Sequence, residues 1–106
     1  MKKKIYLDIV YQGKKIKGYI LDISKTGIGI ASSGSMKKGA LLKVTSKSAG
    51  LVNLKGKVAN ITEMKRKSYI YKIGVKFLSL TGVQKNALNK FISGLDKRKF
   101  FRLEFV

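Results

Sequence analysis

Residues 5–31 read IYLDIVYQGKKIKGYILDISKTGIGIA, and this stretch decides the architecture. In its first part Ile5, Leu7, Ile9 and Tyr11 alternate with Tyr6, Asp8 and Val10. That is the period of a strand with one face against a core. Gln12-Gly13-Lys14 reads as a turn, and residues 16–23 form a second extended run. Ser24-Lys25-Thr26-Gly27 turns the chain again, into Ile28-Gly29-Ile30-Ala31. Closely spaced strands joined by tight turns pair antiparallel.

The same grammar continues outward. A polar loop at residues 32–35 precedes extended runs at 40–45, 51–63 and 68–80, separated by Gly, Ser and Lys clusters. The chain has no Pro to interrupt a ladder. These runs are rich in Ile, Val, Tyr and Leu, as an antiparallel sheet or small barrel requires. From Thr81 the period changes. Val83, Ala87, Leu88, Phe91, Ile92 and Leu95 form the apolar stripe of an amphipathic helix. Thr81 and Gln84 are spaced for a reciprocal capping box, and Gly94 is placed to help end the helix. The expected organisation is mainly β: a single domain over residues 1–106, with a barrel at 5–80, a covering helix at 81–95 and a tail at 96–106.

Composition removes most chemistry. The chain contains no Cys and no His, hence no thiol nucleophile, no disulfide, few routes to a zinc site and no imidazole base. Its carboxylates are Asp8, Asp22, Glu63, Asp96 and Glu104, none close in sequence to another. A general acid/base pair or a magnesium site would need them gathered by the fold. The expectation is therefore a non-enzymatic protein with no catalytic residue, no metal and no cofactor. No apolar run approaches the length of a membrane span, and Asp8 interrupts any signal core behind Lys2, Lys3 and Lys4, which predicts a cytoplasmic protein.

Charge points toward anionic partners. With 24 basic and 5 acidic side chains the formal net charge is +19, which steers polyanions toward the surface. Of the basic residues, 21 are Lys and 3 are Arg. Against that background Arg98 and Arg102, four apart in the tail, are conspicuous. The guanidinium fork fits a phosphate or the O6/N7 edge of guanine bidentately, and an ammonium does not. In the 20–30 stretch, Asp22 and Ser24 are two apart at a strand end, so their side chains can leave the same side of the chain. A carboxylate accepts from guanine N1–H and its amino group, and a hydroxyl bonds phosphate or base. Gly27 permits a backbone conformation or a close approach that a side chain would block. Read without further information, the same residues also describe an Asp/Ser turn and a basic tail.

Three motifs carry a family resemblance. Asp22-Ile23-Ser24-Lys25-Thr26-Gly27 resembles the [D/N]xSxxG motif of PilZ domains, Arg98-Lys99-Phe100-Phe101-Arg102 resembles their RxxxR motif, and Tyr71-Lys72-Ile73-Gly74-Val75-Lys76-Phe77 is similar to the strand that closes the PilZ barrel before its terminal helix. The resemblance implies a six-stranded antiparallel barrel that binds cyclic di-GMP as a bacterial second-messenger sensor. It implies that Arg98 and Arg102 grip phosphates and guanine edges, and that Asp22, Ser24 and Gly27 complete the pocket.

In that family RxxxR leads into the first strand and [D/N]xSxxG follows, whereas here the order is reversed. The position ahead of the first strand holds Lys2, Lys3 and Lys4. Three arrangements accommodate this. The tail folds back beside its own first strand, as in a circular permutation; or it completes a neighbour's site in a homodimer or ring; or the arginines serve a following domain. Two other functions compete with the sensor reading. One is a small basic barrel binding nucleic acid, with Tyr69, Tyr71, Phe100 and Phe101 as stacking platforms. The other is an interaction module that resembles PilZ and has lost its ligand. A downstream protein partner is expected for either sensor or interaction module, and the sequence does not identify it.

Overall fold

A computed structural model describes residues 4–64 and 71–97. Within them the chain forms β1 (Tyr6–Tyr11), β2 (Lys14–Ile23), β3 (Gly27–Ser32), β4 (Leu41–Ser46), β5 (Leu51–Glu63), β6 (Tyr71–Phe77) and α1 (Gly82–Lys97). Every neighbouring pair is antiparallel, and the order β1-β2-β3-β6-β5-β4 returns to β1 through the β1–β4 pairing. The sheet is thus a closed six-stranded barrel, in which each described strand is paired on both sides.

The β1–β2 turn shows how local chemistry sets register. Gln12 and Gly13 take φ of 50° and 76°, the left-handed pair of a two-residue hairpin turn whose twist matches the strands. Tyr11 then faces Lys14 and Ile9 faces Ile16. The interior receives alternate residues from every strand: Leu7 and Ile9, Ile20, Ile28 and Ile30, Leu42 and Val44, Leu54 and Val58, Ile73 and Val75 are all buried in one cluster.

Two single-residue bulges break this alternation on either side of the β3–β6 pair. On β2, Ile20 pairs with Ile30 but Asp22 pairs with Gly29, so Leu21 is the extra residue. On β5, Val58 pairs with Val75 but Asn60 pairs with Gly74, so Ala59 is extra. Each bulge places two successive side chains on the outer face before the next returns inward. Asp22 and Asn60 face outward as a result.

The helix closes the barrel. Leu88 is buried in the barrel's core cluster, with Ala87, Phe91 and Ile92 packed against it. The capping box forms as the sequence predicts: Thr81 N donates to Gln84 Oε1 at 2.9 Å, and Gln84 N donates to Thr81 Oγ1 at 3.1 Å. Gln84 also donates through Nε2 to the carbonyls of Val52 and Asn53 at 3.0 and 2.9 Å, which pins the start of α1 to β5. Gly94 does not end the helix. It avoids the left-handed conformation that terminates helices, and α1 runs through it to Lys97. The last strand is also shorter than the predicted 68–80 run: β6 stops at Phe77, and residues 68–70 lie outside the described residues. No helix among the described residues is long and apolar enough to cross a membrane.

Candidate functional site

The outer surface of β2, β3, β6 and β5 carries one continuous cross-strand row. Asp22 pairs with Gly29, Gly29 with Gly74, and Gly74 with Asn60. The two central positions have no side chain, so the row is a floor of bare backbone between two polar groups. At both glycines a Cβ would take the space that the neighbouring polar side chain now occupies. A Cβ on Gly29 would lie 2.7 Å from Asp22 Oδ1, and a Cβ on Gly74 would lie 2.5 Å from Asn60 Oδ1. The carboxylate and the carboxamide therefore lean inward over the glycines from opposite ends. Neither side chain makes a hydrogen bond or ion pair among the described residues.

This row forms the base of an open depression of about 430 Å³, which Ser24, Thr26, Gly27, Lys72 and Lys76 also line. Lys76 pairs with Gly27 on one flank of the row, and Lys72 pairs with Ala31 on the other. The depression thus holds one carboxylate, one carboxamide and two ammonium groups around an uncluttered floor. Such a set can accept hydrogen bonds from a planar base and hold phosphate oxygens beside it.

The turn that supplies this rim is built by Ser24. Its Oγ accepts from the amides of Thr26 and Gly27, each at 3.3 Å, and lies 3.2 Å from Thr26 Oγ1. Ser24 N donates to the Gly27 carbonyl at 2.9 Å. The serine hydroxyl thus organises the loop that carries Asp22 and Gly27, in addition to standing exposed at the site. Gly27 keeps an ordinary negative φ, so close approach is what requires it: a Cβ there would meet the Val75 carbonyl oxygen at 2.5 Å.

Of the residues the sequence singles out, Asp22, Ser24 and Gly27 come together in this depression. Arg98 and Arg102 lie outside the described residues, as do Tyr69, Phe100 and Phe101. Tyr71 is half-buried and packed against the core cluster, so it is not a free stacking platform. Ahead of β1, Lys4 places its Nζ 4.9 Å from the centroid of the Tyr19 ring. Tyr19 pairs with Ala31 and Ala31 with Lys72, which sets Lys4 beside the same outer face.

Sequence reasoning passed over Gly29, Asn60, Gly74, Lys72 and Lys76 as site residues. Signals existed for the first three. Glycines inside β-branched runs mark close approach, and both Ile20-Leu21-Asp22-Ile23 and Val58-Ala59-Asn60-Ile61 put two residues where alternation allows one.

A closed antiparallel barrel capped by one helix, with an exposed ligand-sized depression on the β2–β3–β6–β5 face, defines a small binding module. The PilZ domain family model matches residues 1–94, and the chain belongs to that family. The match takes in Asp22, Ser24, Gly27, Gly29, Asn60 and Gly74 and ends before Arg98. Among solved structures, the PilZ domain of YcgR from Escherichia coli, with c-di-GMP, superposes with a TM-score of 0.71 at 14% identity. The alignment covers 89% of this chain and 82% of that one. A search of curated proteins found no match.

Proposed function

We propose that this chain is a cyclic di-GMP receptor module and that the Asp22–Gly29–Gly74–Asn60 depression is its ligand site. The observation that carries the reading is the Asp22 carboxylate, unpaired among the described residues, aimed over a glycine floor and flanked by Lys72 and Lys76. A guanine offers two adjacent donors, N1–H and the amino group, to such an acceptor. The cyclic diphosphate supplies the negative charge that the lysines favour. Family membership and the YcgR PilZ domain with its c-di-GMP support the same ligand.

In this reading Arg98 and Arg102 complete the site from the tail, as the RxxxR resemblance implies. Ligand binding docks that arm against the barrel and changes the surface a downstream protein meets. The chain acts as a sensor and not as an enzyme.

The test is calorimetric titration of the full chain and of its Asp22→Ala, Arg98→Ala and Arg102→Ala variants with cyclic di-GMP. The reading expects binding by the parent and its loss in each variant, with thermal unfolding unchanged to within a few degrees. If all three variants bind as the parent does, the site is elsewhere.

A further inference from the structure

A second open depression, of about 400 Å³, lies across β1, β4, β5 and the residues that follow β6. Val10 pairs with Lys43, Lys43 pairs with Lys55, and the Lys55 carbonyl accepts from Leu78 N at 2.8 Å. One outward row thus runs Val10, Lys43, Lys55, Leu78, with an apolar side chain at each end and two lysines between. Leu41 stands two residues before Lys43 on the same outward face, since Leu42 and Val44 are buried in the core. Lysine stems often cover neighbouring apolar groups. Here they do not: Val10 is 44% exposed and Leu41 66%.

An exposed apolar hollow with a charged rim is the pattern of a protein-binding surface. The rim here has one sign. Lys43 and Lys55 line the depression, Lys15 pairs with Val10, Lys57 pairs with Leu41, and no carboxylate is among the lining residues. A second copy of this chain is the wrong occupant, because it would bring the same lysines and a net charge of +19 against these. A nucleic acid would pair its phosphates with the lysines, but no aromatic face lines the depression to stack its bases. A bilayer takes up apolar groups that project, and here they surround a hollow that reaches the buried Leu42. The occupant that fits is a protein segment with both acidic and apolar side chains. It engages through side chains, because β1, β4 and β5 are each paired on both sides and offer no edge for strand addition.

We infer that the Val10–Leu41–Leu78 depression is the docking surface for an acidic segment of a partner protein. The segment's Asp or Glu side chains meet Lys43 and Lys55, and one of its aliphatic or aromatic side chains enters between Val10 and Leu41. The inference is independent of cyclic di-GMP and of the site proposed for it.

The experiment selects a displayed random-peptide library on the full chain at physiological salt. The selected peptides are then synthesised and their affinities measured by fluorescence anisotropy. They should interleave Asp or Glu with Leu, Ile or Phe. Leu41→Ser and Val10→Ser should each weaken them about tenfold, the scale of one buried aliphatic side chain. Val83→Ser, at an exposed apolar position on α1 outside the depression, should leave them unchanged. Replacing both Lys43 and Lys55 by Gln should also weaken them, and more at low salt than at high. Thermal unfolding confirms that each variant is folded. Selected peptides without acidic residues overturn the inference, as do peptides that bind Leu41→Ser and Val10→Ser as they bind the parent. So does a selection that yields no saturable binder. Vesicles of phosphatidylglycerol and phosphatidylcholine are tested in parallel. If they bind the parent and not Leu41→Ser, and no peptide binds, the occupant is a membrane and the inference fails.

Discussion

Asp22 and Asn60 face each other over the paired backbones of Gly29 and Gly74, each turned outward by a one-residue bulge on its own strand. The arrangement gives one face of a closed barrel a bare floor, that of the proposed ligand site, without opening the barrel. The interior stays packed by Ile28, Ile30, Ile73 and Val75 directly beneath it. The packed core and the proposed ligand site therefore lie on opposite faces of the same strands, and substitutions on the two faces should separate stability from binding.

Gly29→Ala tests the floor. The new methyl meets only the end of the Asp22 side chain, which can rotate away. Thermal unfolding should shift by no more than a few degrees, while affinity for cyclic di-GMP falls at least tenfold because the carboxylate is displaced.

Gly27→Ala should behave in the opposite manner. Its methyl meets the Val75 carbonyl, a backbone atom that cannot move without disturbing the β3–β6 ladder. Chemical denaturation should show a loss of about 1–3 kcal/mol, the range for overpacking a close contact. A variant as stable as the parent would show that the strands can separate locally at no cost.

The capping box gives a prediction independent of ligand. Thr81→Ala removes the bond to Gln84 N and should cost about 1 kcal/mol in a urea titration. Gln84→Ala removes the bond from Thr81 N and both bonds to the carbonyls of Val52 and Asn53, so its cost should be greater. The double variant should cost less than the sum, since the two side chains share one network.

How much of this was legible in the sequence depends on the range of the interaction that decides each feature. The strand alternation around Ile5–Tyr11, the Gln12-Gly13 turn and the Thr81/Gln84 cap are local, and the sequence reads them directly. Asp22, Ser24 and Gly27 are also local, gathered by one turn. Asn60 was not legible, because its place in the depression depends on pairing with Gly74, and that partner is set by barrel closure. Gly94 misled for a related reason: a glycine near a helix end signals termination only when it turns left-handed, and here α1 continues to Lys97. The 98–102 arginines are legible as a motif and lie outside both the described residues and the family match.

Net charge supplies a further check. A protein of net charge +19 binds polyanions by counterion release, and such binding to nucleic acid should fall steeply between about 50 and 200 mM salt. Cyclic di-GMP carries two phosphates, so its affinity should fall far less over the same interval. Parallel salt titrations with a single-stranded oligonucleotide and with cyclic di-GMP separate the two. Equal steepness would favour a general polyanion surface over a built site.

The central claim is that this barrel takes up cyclic di-GMP, and calorimetric titration of the full chain at physiological salt tests it most directly. The account predicts saturable binding with a defined stoichiometry. Absence of heat at two temperatures, with the protein shown to be folded, would contradict it.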